Sequence, residues 1–257
     1  MSRKSPRRSG DRDGLGGDRV EGRRAVLELL RAKRRPTHSI LVGPSDDTRL
    51  VAEIVTAAEE AGVAVRRVDA GELADEARTD APQGVVARAA PVAEADLSSL
   101  TGADGAFLIV LDGVTDPRNL GAVLRNADGA GATGVVIARH RGARLTPSAV
   151  KAAAGAVEHV PIARVGGVPG ALERIRRAGC WVVGLDERGA TDIADVNVLD
   201  EPVALVLGAE GSGLSRLARE RCDVLASIPM YGSLESLNVS AATALAGYAV
   251  ARARRHD

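Results

Sequence analysis

From residue 106 onward the chain alternates short, almost uniformly apolar runs with helical patterns, and most of those runs close on a polar or glycine-containing turn. The pattern predicts strands at 106–111, 133–138, near 159–163, 180–185, 203–207 and 224–228. Helices are predicted between and after them at 119–131, 146–154, 168–178, 214–220 and 237–255. Strands that are apolar at nearly every position must be covered on both faces, and strands joined through a helix run parallel. The chain is therefore of α/β class, with a parallel sheet between two helical layers. Open sheets of this kind take ligands at the carboxyl ends of their strands, so a site is to be sought in those turns.

The N-terminal part is a smaller α/β unit. An apolar stripe through Val20, Val26, Leu27, Leu29 and Leu30 predicts a helix running to about Arg34. A strand at 39–42, a helix at about 47–61, a strand at 63–68, a brief helix at 70–78 and a strand at 84–89 follow. The expected division is a basic tail at 1–17, without order of its own, a module at 18–90, a linker at 91–104 and the larger domain at 105–257.

Charge separates these parts. The chain as a whole has a net charge of zero, yet residues 1–35 carry 12 Lys or Arg against five acids, a balance of +7, so the remainder must carry −7. A basic arm on a neutral body fits a nucleic-acid partner, because neutralised phosphates supply much of such affinity; a solvated tail is the plainer reading of residues 1–17. Nearly all the cations are Arg, with Lys only at 4, 33 and 151. Arginine suits bidentate phosphate contacts. Four aromatics (Phe107, Trp181, Tyr231, Tyr248) are too few for a base-stacking sheet. No apolar run reaches the roughly 18 residues of a membrane span. The polar, basic start lacks the apolar core of a secretory signal. Cys180 and Cys222 form neither a disulfide framework nor zinc spacing. A cytoplasmic protein with no membrane partner and no metal is expected.

Three segments carry the candidate chemistry. Leu205-Val-Leu-Gly208-Ala-Glu210-Gly211-Ser-Gly213 ends an apolar strand in a glycine turn. Ile228-Pro-Met-Tyr-Gly232-Ser-Leu-Glu-Ser236-Leu237-Asn238 runs straight into the Ala-rich last helix. Far upstream, Asp112-Gly-Val-Thr-Asp116-Pro-Arg118-Asn119-Leu-Gly121-Ala-Val-Leu-Arg125 again leaves a strand and opens a helix. Glycine turns expose backbone groups to close approach, so the first two can form two sides of one pocket for a flat polar ligand. Other chemistries fail on placement. The glycines follow a late strand rather than the first, against a dinucleotide fingerprint. No Gly-Lys-Ser/Thr is present, no Gly-x-Ser-x-Gly elbow exists, and the four His are scattered at 38, 140, 159 and 256.

Taken together, the three segments resemble the SpoU-type ribose 2′-O-methyltransferases of the SPOUT superfamily, over about residues 104–257. The resemblance implies a deep trefoil knot in the C-terminal domain, S-adenosyl-L-methionine bound there in a bent shape, and a homodimer. Residues 18–90 are similar to the L30e-like substrate-binding module of one branch, through Val20-Glu-Gly22-Arg-Arg-Ala-Val26 and Pro82-Gln83-Gly84-Val85, with Pro82 where relatives often carry His. That combination points to enzymes that methylate a guanosine ribose in 23S rRNA. Carried over position by position, Gly208, Ile228 and Leu237 are the expected cofactor-binding residues, and Asn119, Arg125, Glu210, Ser236 and Asn238 the expected catalytic set.

Each polar residue also has an ordinary reading. Asn119, Ser236 and Ser240 suit helix caps, Glu210 suits the start of the next helix, and Arg125 suits a solvated helix face. Arg125 is expected to clamp a phosphate and polarise the 2′-hydroxyl rather than to act as a base, since a guanidinium holds its proton. The basic group Arg139, Arg141, Arg144 and Lys151 is a further candidate for RNA contact, and Tyr248 and Val250 for a subunit interface. Alternatives within the resemblance are a methyltransferase for tRNA or another rRNA nucleotide, including the antibiotic-resistance type. A non-catalytic RNA-binding or ribosome-assembly protein of the same fold is another.

Overall fold

The computed structural model describes residues 14–45, 48–234 and 236–255. The first 13 residues of the expected tail lie outside that range. Residues 14–17 do not behave as a tail: Leu15 is buried, Gly17 N–H donates to the Leu145 carbonyl at 3.0 Å, and Val92 N–H donates to the Gly16 carbonyl at 2.9 Å.

The N-terminal module opens with strand β1 (Arg19–Glu21), helix α1 (Arg23–Ala32), strand β2 (Thr37–Val42), helix α2 (Thr48–Glu60) and strand β3 (Val65–Arg67). Helix α3 (Ala70–Glu76) and strand β4 (Val85–Ala89) complete it, and the sheet order is β1-β4-β2-β3. The predicted first helix is corrected at its start: Val20 lies in β1, paired antiparallel with Ala87 of β4. Gly22 separates strand from helix, at φ 98°, a backbone that a continuous helix from Val20 could not hold.

The linker also proves to be part of the core. It contains helix α4 (Leu97–Thr101), capped by Asp96 and burying Leu97 and Leu100. Glu94 pairs with both Arg139 and Arg164 at 2.7 Å, anchoring the crossing to the larger domain.

The larger domain runs β5 (Phe107–Asp112), α5 (Pro117–Gly129), β6 (Gly134–Ala138), α6 (Pro147–Ala153), β7 (Ile162–Val165), α7 (Val168–Arg177) and β8 (Trp181–Leu185). A two-residue strand that the sequence pattern did not announce, β9 (Thr191–Asp192), comes next. The chain ends with β10 (Val203–Gly208), α8 (Arg216–Arg219), β11 (Val224–Ser227) and α9 (Val239–Ala253). The seven strands form one parallel sheet in the order β7-β6-β5-β10-β8-β11-β9.

Alternation along β5 shows how the layers form. Phe107, Ile109 and Leu111 join the core shared with α5, α6 and α9, whereas Leu108 and Val110 join the core under α4, α7 and α8. The first core continues without a break into the module, through Val26, Leu30 and Val157. A buried ion pair marks this junction: the Arg35 guanidinium grips Glu158 through two bonds of 2.6 and 2.9 Å, with both side chains more than nine-tenths buried.

Candidate active site

Strand β10 sits between β5 and β8, so Gly208 at its end lies beside Asp112 at the end of β5. Beyond Gly208 the chain folds back at once, with Gly213 N–H donating to the Ala209 carbonyl at 2.9 Å. A Cβ on Gly208 would stand 2.0 Å from the Gly213 carbonyl carbon and 2.3 Å from the Leu214 nitrogen. Only glycine fits there, and the reason is steric close approach. Asp112 closes the turn from the other side, where its Oδ2 accepts the Ser215 N–H at 2.7 Å and steadies the start of α8.

Helix α5 begins beside this turn. Asp116 caps it by accepting the Arg118 N–H at 2.7 Å, and Pro117 occupies the first turn, where its missing donor costs nothing. Gly121 lets α5 press on α6, since a Cβ would fall 2.2 Å from the Ala149 carbonyl oxygen. Asn119 is thereby aimed at the β10 turn.

Three polar side chains from distant parts of the chain close on one another here. Asn119 Nδ2 donates to Glu210 Oε1 at 3.1 Å. Asn238 Nδ2 donates to the same oxygen and also to Asn119 Oδ1, the latter at 3.1 Å. The other atom of the Asn238 amide, Oδ1, caps α9 by accepting the Ser240 N–H at 2.8 Å. Capping and the polar triangle thus use opposite ends of one side chain. A second tie, Asn126 Nδ2 to the Ser240 carbonyl at 2.6 Å, holds α5 on α9.

The triangle lies at the edge of a cleft of about 660 Å³ whose lining includes Gly208, Glu210, Ile228, Ser236, Leu237 and Asn238. Six of the eight expected site residues therefore share one cavity, and Asn119 reaches it through its hydrogen bonds. Arg125 does not join them. It stands six residues beyond Asn119, about 600° around α5, and so faces away from Asn119; it lines the junction with the N-terminal module instead.

Leu185, Asp186 and Glu187 at the end of β8 also line the cleft, and motif reading missed them. Asp186 is held there by Arg219 at 2.6 Å and by the Arg188 N–H at 3.0 Å. An acidic pair closing an apolar strand was the available signal. Nearby, burial pushes the Cys222 thiol up to about 12, reinforced by the carboxylates of Asp223, Asp112 and Asp186, so it stays protonated.

The other expected contact group is dispersed. Arg139 shares Glu94 with Arg164, and Lys151 donates to the Ala81 carbonyl across the domain junction. Val250 is fully buried within the chain, which removes it from the expected interface, while Tyr248 is half exposed.

The cleft fits S-adenosyl-L-methionine in kind: its size suits a small molecule, a glycine wall bares backbone groups, and Leu185, Ile228 and Leu237 supply apolar cover. A parallel α/β sheet with such a cleft at its strand ends and a side-chain triangle beside it defines a ligand-binding, enzyme-like domain. Residues 106–248 match the model of the SpoU rRNA Methylase family, and residues 19–95 match that of RNA 2′-O ribose methyltransferase substrate binding. The chain belongs to the SpoU rRNA methylase family.

Among its relatives is the 23S rRNA (guanosine-2′-O-)-methyltransferase RlmB of Photobacterium profundum, 39% identical, with 94% of this chain and 100% of that protein covered. RlmB of Ralstonia nicotianae is 41% identical, over 91% of this chain and 94% of its own. YacO of Bacillus subtilis, named for the TrmH family of tRNA/rRNA methyltransferases, is 37% identical over 92% of this chain and 96% of its own. Among solved structures, the SpoU methyltransferase AviRb of Streptomyces viridochromogenes in complex with AdoMet superposes with a TM-score of 0.76 at 28% identity. That match covers 92% of this chain and 90% of AviRb.

Proposed function

We propose that this protein transfers a methyl group from S-adenosyl-L-methionine to the 2′-hydroxyl of a guanosine ribose in ribosomal RNA, with 23S rRNA as the substrate. The observation that carries the reading is the Asn119–Glu210–Asn238 triangle beside the glycine-walled cleft. The relatives named for that reaction, aligned over nine-tenths of the chain, support it.

When bound, the cofactor supplies an electrophilic methyl on a positively charged sulfur. Accepting that methyl would cost the ribose 2′-hydroxyl its proton, which would leave through the hydrogen bond to Glu210 Oε2 and on to solvent, while the carbon–sulfur electron pair would stay on sulfur. The protein's task is mainly alignment and local charge. Backbone groups around Gly208 and the apolar side chains Ile228 and Leu237 would hold the cofactor. Glu210 is pinned through Oε1 by two amides, whereas Oε2 has no partner among the described residues. We assign Oε2 to accept the hydrogen bond of the 2′-hydroxyl, and Ser236, which lines the same cleft, to orient the ribose. Arg125 approaches from the module side and clamps a phosphate next to that ribose.

The same reading includes threading of the last segment through the β10 turn as a knot, with residues 18–90 and 105–257 as the two working domains. It also includes a homodimer formed through the exposed Leu245 and Tyr248 of α9, and a cytoplasmic location. Among the described residues no helix is long and apolar enough to cross a membrane.

The test is methylation of unmodified rRNA and tRNA by the purified protein, with position mapped by ribose-methylation sequencing. A single 2′-O-methylguanosine in 23S rRNA is expected. Label confined to tRNA would favour the other substrate that the YacO name carries. Saturable cofactor binding without any label would defeat the enzyme reading.

A further inference from the structure

Two concave surfaces lie where α1 of the module faces α5. One, of about 460 Å³, holds a mutually paired group, in which Arg31 bonds Glu28 and Glu53 and His159 contacts Glu28 at 3.1 Å, together with Asp128 and with Arg24 and Arg125, which it shares with the second. The other, of about 660 Å³, is cationic, lined by Arg23, Arg24, Arg118, Arg125 and Lys151. Its two acids are Glu21 and Asp80. Glu21 is fully buried and spends both oxygens on the backbone N–H groups of Arg78 and Thr79, at 2.7 and 3.0 Å. Lys151 is committed to the Ala81 carbonyl, and Arg23 to the Ser45 hydroxyl at 2.7 Å.

Arg24, Arg118 and Arg125 are left. Each is exposed, and its guanidinium makes no hydrogen bond or ion pair among the described residues. Their arrangement follows from helix geometry. Arg118 and Arg125 are seven residues apart, two turns along one face of α5, about 10 Å from end to end. Arg24 faces them from the first turn of α1.

The walls are closely packed on each other. Gly155 packs so closely on α1 that a Cβ would meet Glu28 Cβ at 2.5 Å, and the buried Arg35–Glu158 pair bolts the same junction. Asp80, the one carboxylate left over, offsets only part of the charge of these three arginines, so the concavity keeps a net positive charge that an anion offsets. Arg118 is also the chain neighbour of Asn119, so the cationic cleft begins one residue from the polar triangle.

We propose that this cleft is the track of the substrate RNA's phosphodiester backbone, with Arg24 of the module and Arg118 of the catalytic domain clamping phosphates beside the one held by Arg125. The proposal rests on the RNA methyltransferase reading above. It makes the domain junction itself, rather than either domain alone, the binding site. Guanidinium contacts to phosphate carry no sequence information, so the track sets register and affinity while choice of nucleotide lies elsewhere.

The test is RNA binding by Arg24→Gln/Arg118→Gln across a salt series, using 23S rRNA transcribed in vitro. Loss of two phosphate contacts should flatten the slope of log affinity against log salt by about 1.4 for a single strand. Between about 50 and 200 mM salt that removes roughly a sevenfold change in affinity. KM for RNA should rise, and the cofactor's calorimetric affinity should stay at the wild-type value. Arg24→Lys/Arg118→Lys should restore the slope, and Arg67→Gln, on the distant strand β3, should leave it intact. A wild-type slope in the double Gln variant of a methylating protein overturns the track alone. A wild-type protein that methylates no RNA overturns the functional reading, and the track with it.

Discussion

Replacing Gly208 by alanine tests the cofactor cleft at its tightest point. The added methyl would sit 2.0 Å from the Gly213 carbonyl carbon, 2.2 Å from its oxygen and 2.3 Å from the Leu214 nitrogen. Carbon–carbon contacts settle near about 3.5 Å, so the return arm of the turn must retreat by roughly 1.5 Å. All three obstructing atoms are backbone, and no rotamer change can yield. The retreat breaks the Gly213-to-Ala209 hydrogen bond and moves Glu210 within the same turn. Overpacking of this kind costs about 1–3 kcal/mol, or roughly 2–12 °C in Tm for a chain near this size. The larger effect falls on function, since a displacement of about 1 Å at a reacting group can cost on the order of 100-fold. Calorimetric titration with S-adenosyl-L-methionine should show at least tenfold weaker binding, and methyl transfer should fall by about two orders of magnitude. Gly211→Ala is the matched control. Gly211 has φ 78° but open space around its Cβ position, so it should lose only the roughly 1–2 kcal/mol of a left-handed backbone. Wild-type cofactor affinity in Gly208→Ala would refute the argument that this wall needs a bare backbone.

Three further outcomes follow from the same geometry. Asn238→Asp keeps the oxygen that caps α9 but turns the donor facing Glu210 into a second carboxylate; far-UV dichroism should stay near wild type while turnover collapses, and retained turnover would remove the triangle from catalysis. Glu158→Gln leaves the Arg35 charge buried without a counter-ion, which should cost about 3–5 kcal/mol in urea unfolding; a loss under about 1 kcal/mol would mean that the junction is not bolted there. Cys222 gives a pH signature. Its thiol is held at about 12 in the fold against an ordinary value near about 8.5, so the folded chain keeps a proton that the unfolded chain releases. Its contribution is complete below about pH 8.5 and declines as pH rises toward 12; the urea midpoint should fall less steeply with pH in Cys222→Ala than in wild type, and equal slopes would contradict it.

Short-range features were legible because their causes are short-range. The helix opened by Asp116-Pro117 and the one opened by Asn238 are dictated by caps and turns within four residues. The strands of the larger domain, apart from the two-residue β9, were visible as apolar runs, and the site segments stood out as the turns that close them. Three errors have a common origin. Val20 read as helical because the stripe beyond it is helical, and only pairing with β4 makes it a strand. Residues 91–104 read as a linker because α4 is five residues long, too short for periodicity. Residues 14–17 read as tail because Leu15 is a lone apolar residue, buried in a core that also holds Val92 and Leu145.

By itself the sequence determined the α/β class, the helix starts marked by Asp116 and Asn238 and the glycine turns, since sterics, capping and alternation act between neighbours along the chain. Only the tertiary structure decided that β10 enters between β5 and β8, which brings Asn119, Glu210 and Asn238 together across 91 and 28 residues of chain. It also decided that Arg125 turns to the domain junction while Asn119 turns to the cleft. Strand order and helix docking are set by burial shared among distant segments, and no local pattern encodes which segments will share it.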